Sequence, residues 1–183
     1  MKQLPSLHDA LSERLSSGFI ESITRRILLH PEEFAELYAL LFLKDEHNVS
    51  WRAAWACDRL CRQHPEWLTP KREELMQYTM TTQHSGTKRL LLSIVYQLPV
   101  SQPLSVPFFD FCLETMLSPD EAVAVQSLCI KLCYKMCLAE PELLPELRLY
   151  LENAMQEAYS PGVRNCIKNT LKNIQKFHRQ NGE

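Results

Sequence analysis

Trp51-Arg52-Ala53-Ala54-Trp55, Lys88-Arg89-Leu90-Leu91-Leu92, Val125-Gln126-Ser127-Leu128-Cys129 and Val163-Arg164-Asn165-Cys166-Ile167 decide the fold. Their second residues fall at 52, 89, 126 and 164, so the steps are 37, 37 and 38. A fixed period of this length marks stacked supersecondary units, none able to bury its apolar face alone. Each unit reads as an outer helix A, a connector and an inner helix B that carries the signature. The A helices are expected over 31–44, 65–79, 105–117 and 140–157, and the B helices over 49–64, 86–98, 120–138 and 161–179.

The punctuation between these segments is chemical. Ser118-Pro119-Asp120-Glu121 offers an N-cap serine, a proline at the first helical position and a glutamate placed to close a capping box. Ser160-Pro161 repeats the serine–proline start. Pro31, Pro70 and Pro107 sit where A helices should begin, and Pro99 should stop the second B helix. No run of alternating β-branched residues competes, and glycine occurs only 4 times. The fold class expected is all-α. In the third B helix the apolar stripe of Val125, Leu128, Leu132 and Met136 is widened by Cys129, Cys133 and Cys137, as in a helix buried between neighbours. The fourth narrows to Val163, Cys166, Ile167, Leu171 and Ile174, with a polar, basic outer face that suits a terminal cap. One period before Arg52 lies Leu15, with no matching motif. Residues 1–30 therefore read as an irregular helical cap, two short helices broken near Gly18. Residues 31–183 read as the repeat region, in one compact domain overall.

The signature resembles HEAT or HEAT-like repeats, in which a Val-Arg-like opening marks the second helix of each pair. The resemblance covers about residues 31–179 and implies a right-handed α-α superhelix of about four helix pairs behind the N-terminal cap. It also implies that the signature arginines tie adjacent units together, which makes Arg52, Arg89 and Arg164 structural suspects first; Gln126 departs from the pattern. It names no ligand, since such solenoids serve unrelated roles.

Composition bounds the rest. Hydrophobic residues make up 45% and charged residues 23%, ordinary for a soluble globular chain. The first residues lack the apolar core of a signal peptide, no run approaches the ~20 residues of a membrane span, and the 7 cysteines cannot all pair within the chain. A reduced, cytoplasmic protein is expected. The net charge of −2 hides two layers of opposite sign, because the B segments together carry +9 and the A segments −9. If B helices line the concave side of the solenoid, that side attracts acidic ligands. Arg52, Arg59, Arg89, Lys131, Arg164, Lys168 and Lys172 are the candidate binding residues, with Arg62, Lys88, Lys176 and Arg179 adding charge. The bland reading is that these charges are simply solvated.

Trp51 and Trp55 beside Arg52 and Asp58 suggest a second surface. Aromatic rings near cations and a carboxylate can stack a nucleobase. The group resembles the DNA alkylation-repair glycosylases built from HEAT-like repeats, which implies a base platform of Trp51 and Trp55 with Asp58 as the acidic group. Core packing is the competing and stronger reading for the tryptophans. His47 and His84 are also 37 apart and could form a ladder along one edge of the repeats. The cysteines have helical rather than zinc-knuckle spacing and read as buried small hydrophobes. No metal, cofactor or catalytic motif is expected. The leading expectation is a non-enzymatic interaction or scaffold module for an acidic peptide or protein. Nucleic-acid binding, with or without glycosylase chemistry, and a small assembly or regulatory subunit are the alternatives.

Overall fold

The structure is a computed structural model and describes residues 5–14, 16, 18–154 and 159–181. Among them every regular element is helical, and the chain divides into two compact units, Met1–Leu98 and Pro99–Glu183. The expectation of an all-α fold holds.

In the N-terminal unit, α1 (Leu7–Ser12) and α2 (Phe19–Leu29) flank Gly18, whose φ of +79° breaks the helix where a side chain would be strained. Ser6 caps α1 by accepting from the Asp9 amide at 3.0 Å. A 3₁₀ turn opened by Pro31 leads into α3 (Phe34–Leu40), and α4 (His47–Cys61) follows as the first signature helix. The second pair is α5 (Pro65–Leu68), a 3₁₀ turn around Pro70, α6 (Arg72–Thr81) and the signature helix α7 (Ser85–Gln97). Helix α4 is the centre of this unit: α1, α2, α3 and α7 all pack on it. Its inner face is small and apolar, with Ala53, Ala54, Ala56, Cys57 and Leu60 fully buried, which lets neighbouring helices approach closely. In the outer layer Phe34 meets Trp67 at 5.2 Å between centroids, Phe42 meets Tyr78 at 5.0 Å, and the Tyr38 hydroxyl donates to Glu74 at 2.7 Å. Helix α7 ends at Gln97, before Pro99, as predicted.

In the C-terminal unit, α8 (Val106–Met116) packs on the signature helix α9 (Val123–Ala139). A 3₁₀ turn at Pro141, α10 (Leu144–Glu152) and α11 (Pro161–Asn181) follow, with α9 and α10 both against α11. The helix expected over 140–157 ends at Glu152, and residues 155–158 lie outside the described residues. The Ser160-Pro161 start forms, with Ser160 Oγ accepting from the Val163 amide at 3.4 Å. The capping box at Ser118 does not. Helix α9 begins at Val123, with uncapped Ala122 at its N-cap. Ser118 and Glu121 close a turn instead, and the Ser118 carbonyl accepts from Gln126 Nε2 at 2.7 Å. The competing tertiary bond holds this carbonyl in the turn, and the helix starts later than the capping residues predict.

Candidate functional site

Helices α4 and α7 lie side by side and run in the same direction, because their contacts advance together along both. The His47 and His84 rings stack at 5.9 Å with planes 5° apart. Further along, a Cβ on Gly86 would stand 3.1 Å from Trp51 Nε1, a tight contact that the missing side chain relieves where α7 passes the indole. Further still, Asp58 of α4 meets Ser93 and Gln97 of α7. The histidine ladder expected from the spacing is therefore present, and its second member also caps α7, His84 Nδ1 accepting from the Thr87 amide at 3.1 Å.

Asp58 is 4% exposed. Its Oδ1 accepts from Ser93 Oγ at 2.6 Å and Gln97 Nε2 at 2.9 Å, and its Oδ2 from Arg62 Nη2 at 3.0 Å. A buried carboxylate held by three donors, one of them charged, is a satisfied inter-helix lock. Arg62 itself stays 59% exposed at the mouth of a hollow of about 500 Å³, lined by Cys61, Pro65, Ser93, Tyr96 and Gln97. Tyr96 is 40% exposed. Along the same layer Arg59 makes a long, exposed ion pair with Glu21 at 3.4 Å, while Arg89 is exposed and pairs with nothing among the described residues. Trp51 and Trp55 are half-buried, 5.5 Å apart. Single-sequence reading missed the Ser93–Gln97–Arg62 shell of Asp58; the separations of 35 and 39, either side of the repeat step, were the available signal.

The signature position does different work in different copies. Arg52 Nη1 donates to the carbonyls of Leu11 at 2.6 Å and Glu13 at 2.7 Å, and its guanidinium lies 5.6 Å over the Phe19 ring. It closes the C-terminal end of α1, whose last carbonyls lack intrahelical partners. Gln126 does a similar service for Ser118. Arg89 and Arg164 are exposed. Lys88, expected to add positive charge to the surface, is instead buried, 9% exposed, on the inner side of α7.

In the C-terminal unit Lys131 is exposed on α9, near the half-buried Cys166 thiol, whose upward push by burial it opposes. On α11, Arg164, Lys168, Lys172, Lys176 and Arg179 are all exposed, and none makes an ion pair among the described residues. The candidate residues thus fall into two groups, Arg52, Arg59 and Arg89 in one unit and Lys131, Arg164, Lys168 and Lys172 in the other. Six of the seven cysteines are buried, as expected of small core residues. Cys112 lies within hydrogen-bonding reach of Cys129 and Cys133, and burial pushes its thiol well up, with those two thiols adding to the shift. Among the described residues no cluster of His, Cys, Asp and Glu is arranged to hold a metal ion, and no helix is long and apolar enough to cross a membrane.

Known proteins supply one likeness. No curated protein and no solved structure matches the chain. A family model described as a HEAT repeat domain matches residues 7–174, a span that takes in α1 and α2, the signature helices α4, α7 and α9, and the first two thirds of α11. With matched sequence, helix pairing and signature in agreement, the chain belongs to the HEAT repeat domain family.

Proposed function

We propose that the protein is a non-enzymatic interaction module whose α4–α7 surface holds an acidic segment of a partner protein. HEAT repeats generally mediate protein–protein interaction or scaffolding, and this chain's charges favour an acidic partner. One observation carries the reading: the four signature helices α4, α7, α9 and α11 contain a single acidic residue, Asp58, and it is buried. Their exposed faces therefore carry cations without interspersed carboxylates, whereas a surface built only for solubility mixes both signs. In α4–α7 the cations Arg59, Arg62 and Arg89 share the layer with half-exposed Trp51 and Trp55 and exposed Tyr96. Arginine and aromatic residues together are the usual anchors of a protein interface.

The expectation of a right-handed superhelix of about four pairs, with residues 1–30 as its cap, rests on the resemblance to HEAT repeats and belongs to this proposal. So does a cytoplasmic location, which rests on reading the 7 cysteines as reduced thiols. The base-platform reading loses support, because the Asp58 carboxylate is enclosed and already bound by three donors.

The test is selection from a displayed peptide library on the full chain, followed by affinity measurement on the winners. Enrichment of Asp and Glu beside an aromatic residue is expected. The R59E/R89E variant, altered only at exposed positions, should bind those peptides at least about tenfold more weakly while keeping a single cooperative thermal melt, lowered only by loss of the exposed Arg59–Glu21 pair. Winners without acidic residues, or undiminished affinity in R59E/R89E, reject the reading.

A further inference from the structure

Helix α11 presents a surface of a different kind from α4–α7. Val163, Ile167, Thr170 and Ile174 form its buried line. Beyond Pro161 and Gly162, its exposed residues are only cations and amides: Arg164, Lys168, Lys172, Lys176 and Arg179, with Asn165, Asn169, Asn173, Gln175 and Gln180 between them. The helix contains no acidic residue. The cations run for about 22 Å at the 1.5 Å rise of a helix, on the side turned away from the buried line.

Helix stability does not account for this row. Arg164–Lys168, Lys168–Lys172 and Lys172–Lys176 are like-charge pairs four residues apart, each unfavourable to the helix. Arg164 also sits in the first turn, where the helix dipole disfavours a cation; of the row only Arg179 lies in the last turn and gains from it. A protein partner would need apolar or aromatic anchors at the centre of its contact, and the exposed face offers none. A lipid surface could hold this row only through its anionic headgroups, because the apolar face of α11 is buried against α9 and α10 and cannot anchor it in the headgroup boundary. Lys, Arg, Asn and Gln without apolar neighbours are the side chains that contact phosphate and sugar oxygens.

We propose that the outer face of α11 binds the phosphate backbone of nucleic acid, without reading its sequence. Four or five cations would each neutralise one phosphate and release condensed counterions, so affinity must fall steeply with salt. The amides at Asn165, Asn169 and Asn173 supply neutral donors to the same oxygens. This surface shares no residue with the acidic-segment surface on α4–α7, so each is tested by its own mutations.

The test is fluorescence anisotropy of the full chain with a labelled, random-sequence DNA duplex of ~20 base pairs, titrated between about 50 and about 200 mM NaCl. Affinity is expected to fall on the order of 10²-fold across that range. K168E/K172E should abolish binding at the lower salt with an unchanged circular dichroism melt, and K172Q alone should reduce the salt slope by about one. R25E/K44E, the same charge change at exposed positions of the other unit, should bind DNA like the parent. K168E/K172E should also keep its affinity for the library-selected acidic peptides, so that failure of either reading is seen separately. No binding at about 50 mM NaCl, undiminished binding by K168E/K172E, or equal binding to polyglutamate or to phosphatidylserine vesicles overturns the proposal.

Discussion

Asp58 shows how one residue changes meaning between sequence and structure. Beside two tryptophans it reads as a reactive carboxylate; in the fold it is the point where α4 is fastened to α7, by Ser93, Gln97 and Arg62. Asp58→Ala would leave two half-buried donors and one exposed arginine without their acceptor. We expect a loss of about 2–4 kcal/mol, read as a shift in the urea midpoint, with Asp58→Asn in between. A shift below about 0.5 kcal/mol would show that the lock contributes nothing beyond an ordinary surface site. Glu33 offers a pH-dependent counterpart. Arg26 grips it through Nε at 2.6 Å and Nη2 at 2.8 Å, and these hydrogen bonds, then the charges of Arg26 and His30, hold its carboxyl below the usual 4.5 against the opposing effect of burial. A lowered folded value means that the unfolded chain takes up the proton first as pH falls. The stabilisation is complete above about pH 4.5 and is lost as pH drops through the folded value. Glu33→Gln should therefore cost about 1 kcal/mol at pH 7 and flatten the acid limb of stability against pH. An acid limb identical to that of the parent would count against the pair.

At the scale of the element, local chemistry predicted the helices well wherever no tertiary bond competed for the same backbone group. Gly18, Pro31, Pro99 and Ser160 act as their sequence suggests, because each determines a dihedral or a cap by itself. Ser118-Pro119-Asp120-Glu121 carries equally good signals and fails, because Gln126 claims the Ser118 carbonyl. The helix begins at an alanine whose ψ of 143° has the N-cap shape but whose side chain accepts nothing. Ala122→Asp should therefore supply the missing acceptor and a favourable charge at the helix start, stabilising the protein by about 1 kcal/mol. A thermal melt that does not rise would place the α9 start elsewhere. The candidate site was half legible for the same kind of reason. The period of 37 located the parallel B helices and the His47–His84 ladder. It did not show that Arg52 reaches back to the end of α1, nor that Lys88 points inward, because both depend on which flank of the helix its neighbours cover.

Across the whole molecule the chemistry of the cysteines is set by burial rather than by pairing. Both units keep thiols in their cores: Cys57 and Cys61 in one, and Cys112, Cys129, Cys133 and Cys137 in the other. Burial pushes Cys57 and Cys112 well up, and it pushes Cys137 up to about 12 with help from Cys133 and Glu146. The thiolate is the reactive form, so these side chains should be doubly protected, by exclusion of reagent and by retention of the proton. At pH 8 an aromatic disulfide reagent should titrate at most one of the 7 cysteines promptly, the half-buried Cys166, and all of them after unfolding in guanidinium. The same burial gives the stability curve an alkaline limb. A thiol whose folded value is raised stays protonated in the native state after the unfolded chain has begun to lose its proton near 9.0. The unfolded state then binds fewer protons, and stability falls with rising pH. The contribution is complete below about pH 9 and lost as pH climbs through the raised folded values, at up to about 1.4 kcal/mol per pH unit for each thiol. Urea midpoints that are level between pH 7 and 8 and fall from pH 9 to 10 are expected. Prompt reaction of several thiols at pH 8 would mean that the thiol-bearing cores around α4 and α9 open far more readily than their packing implies.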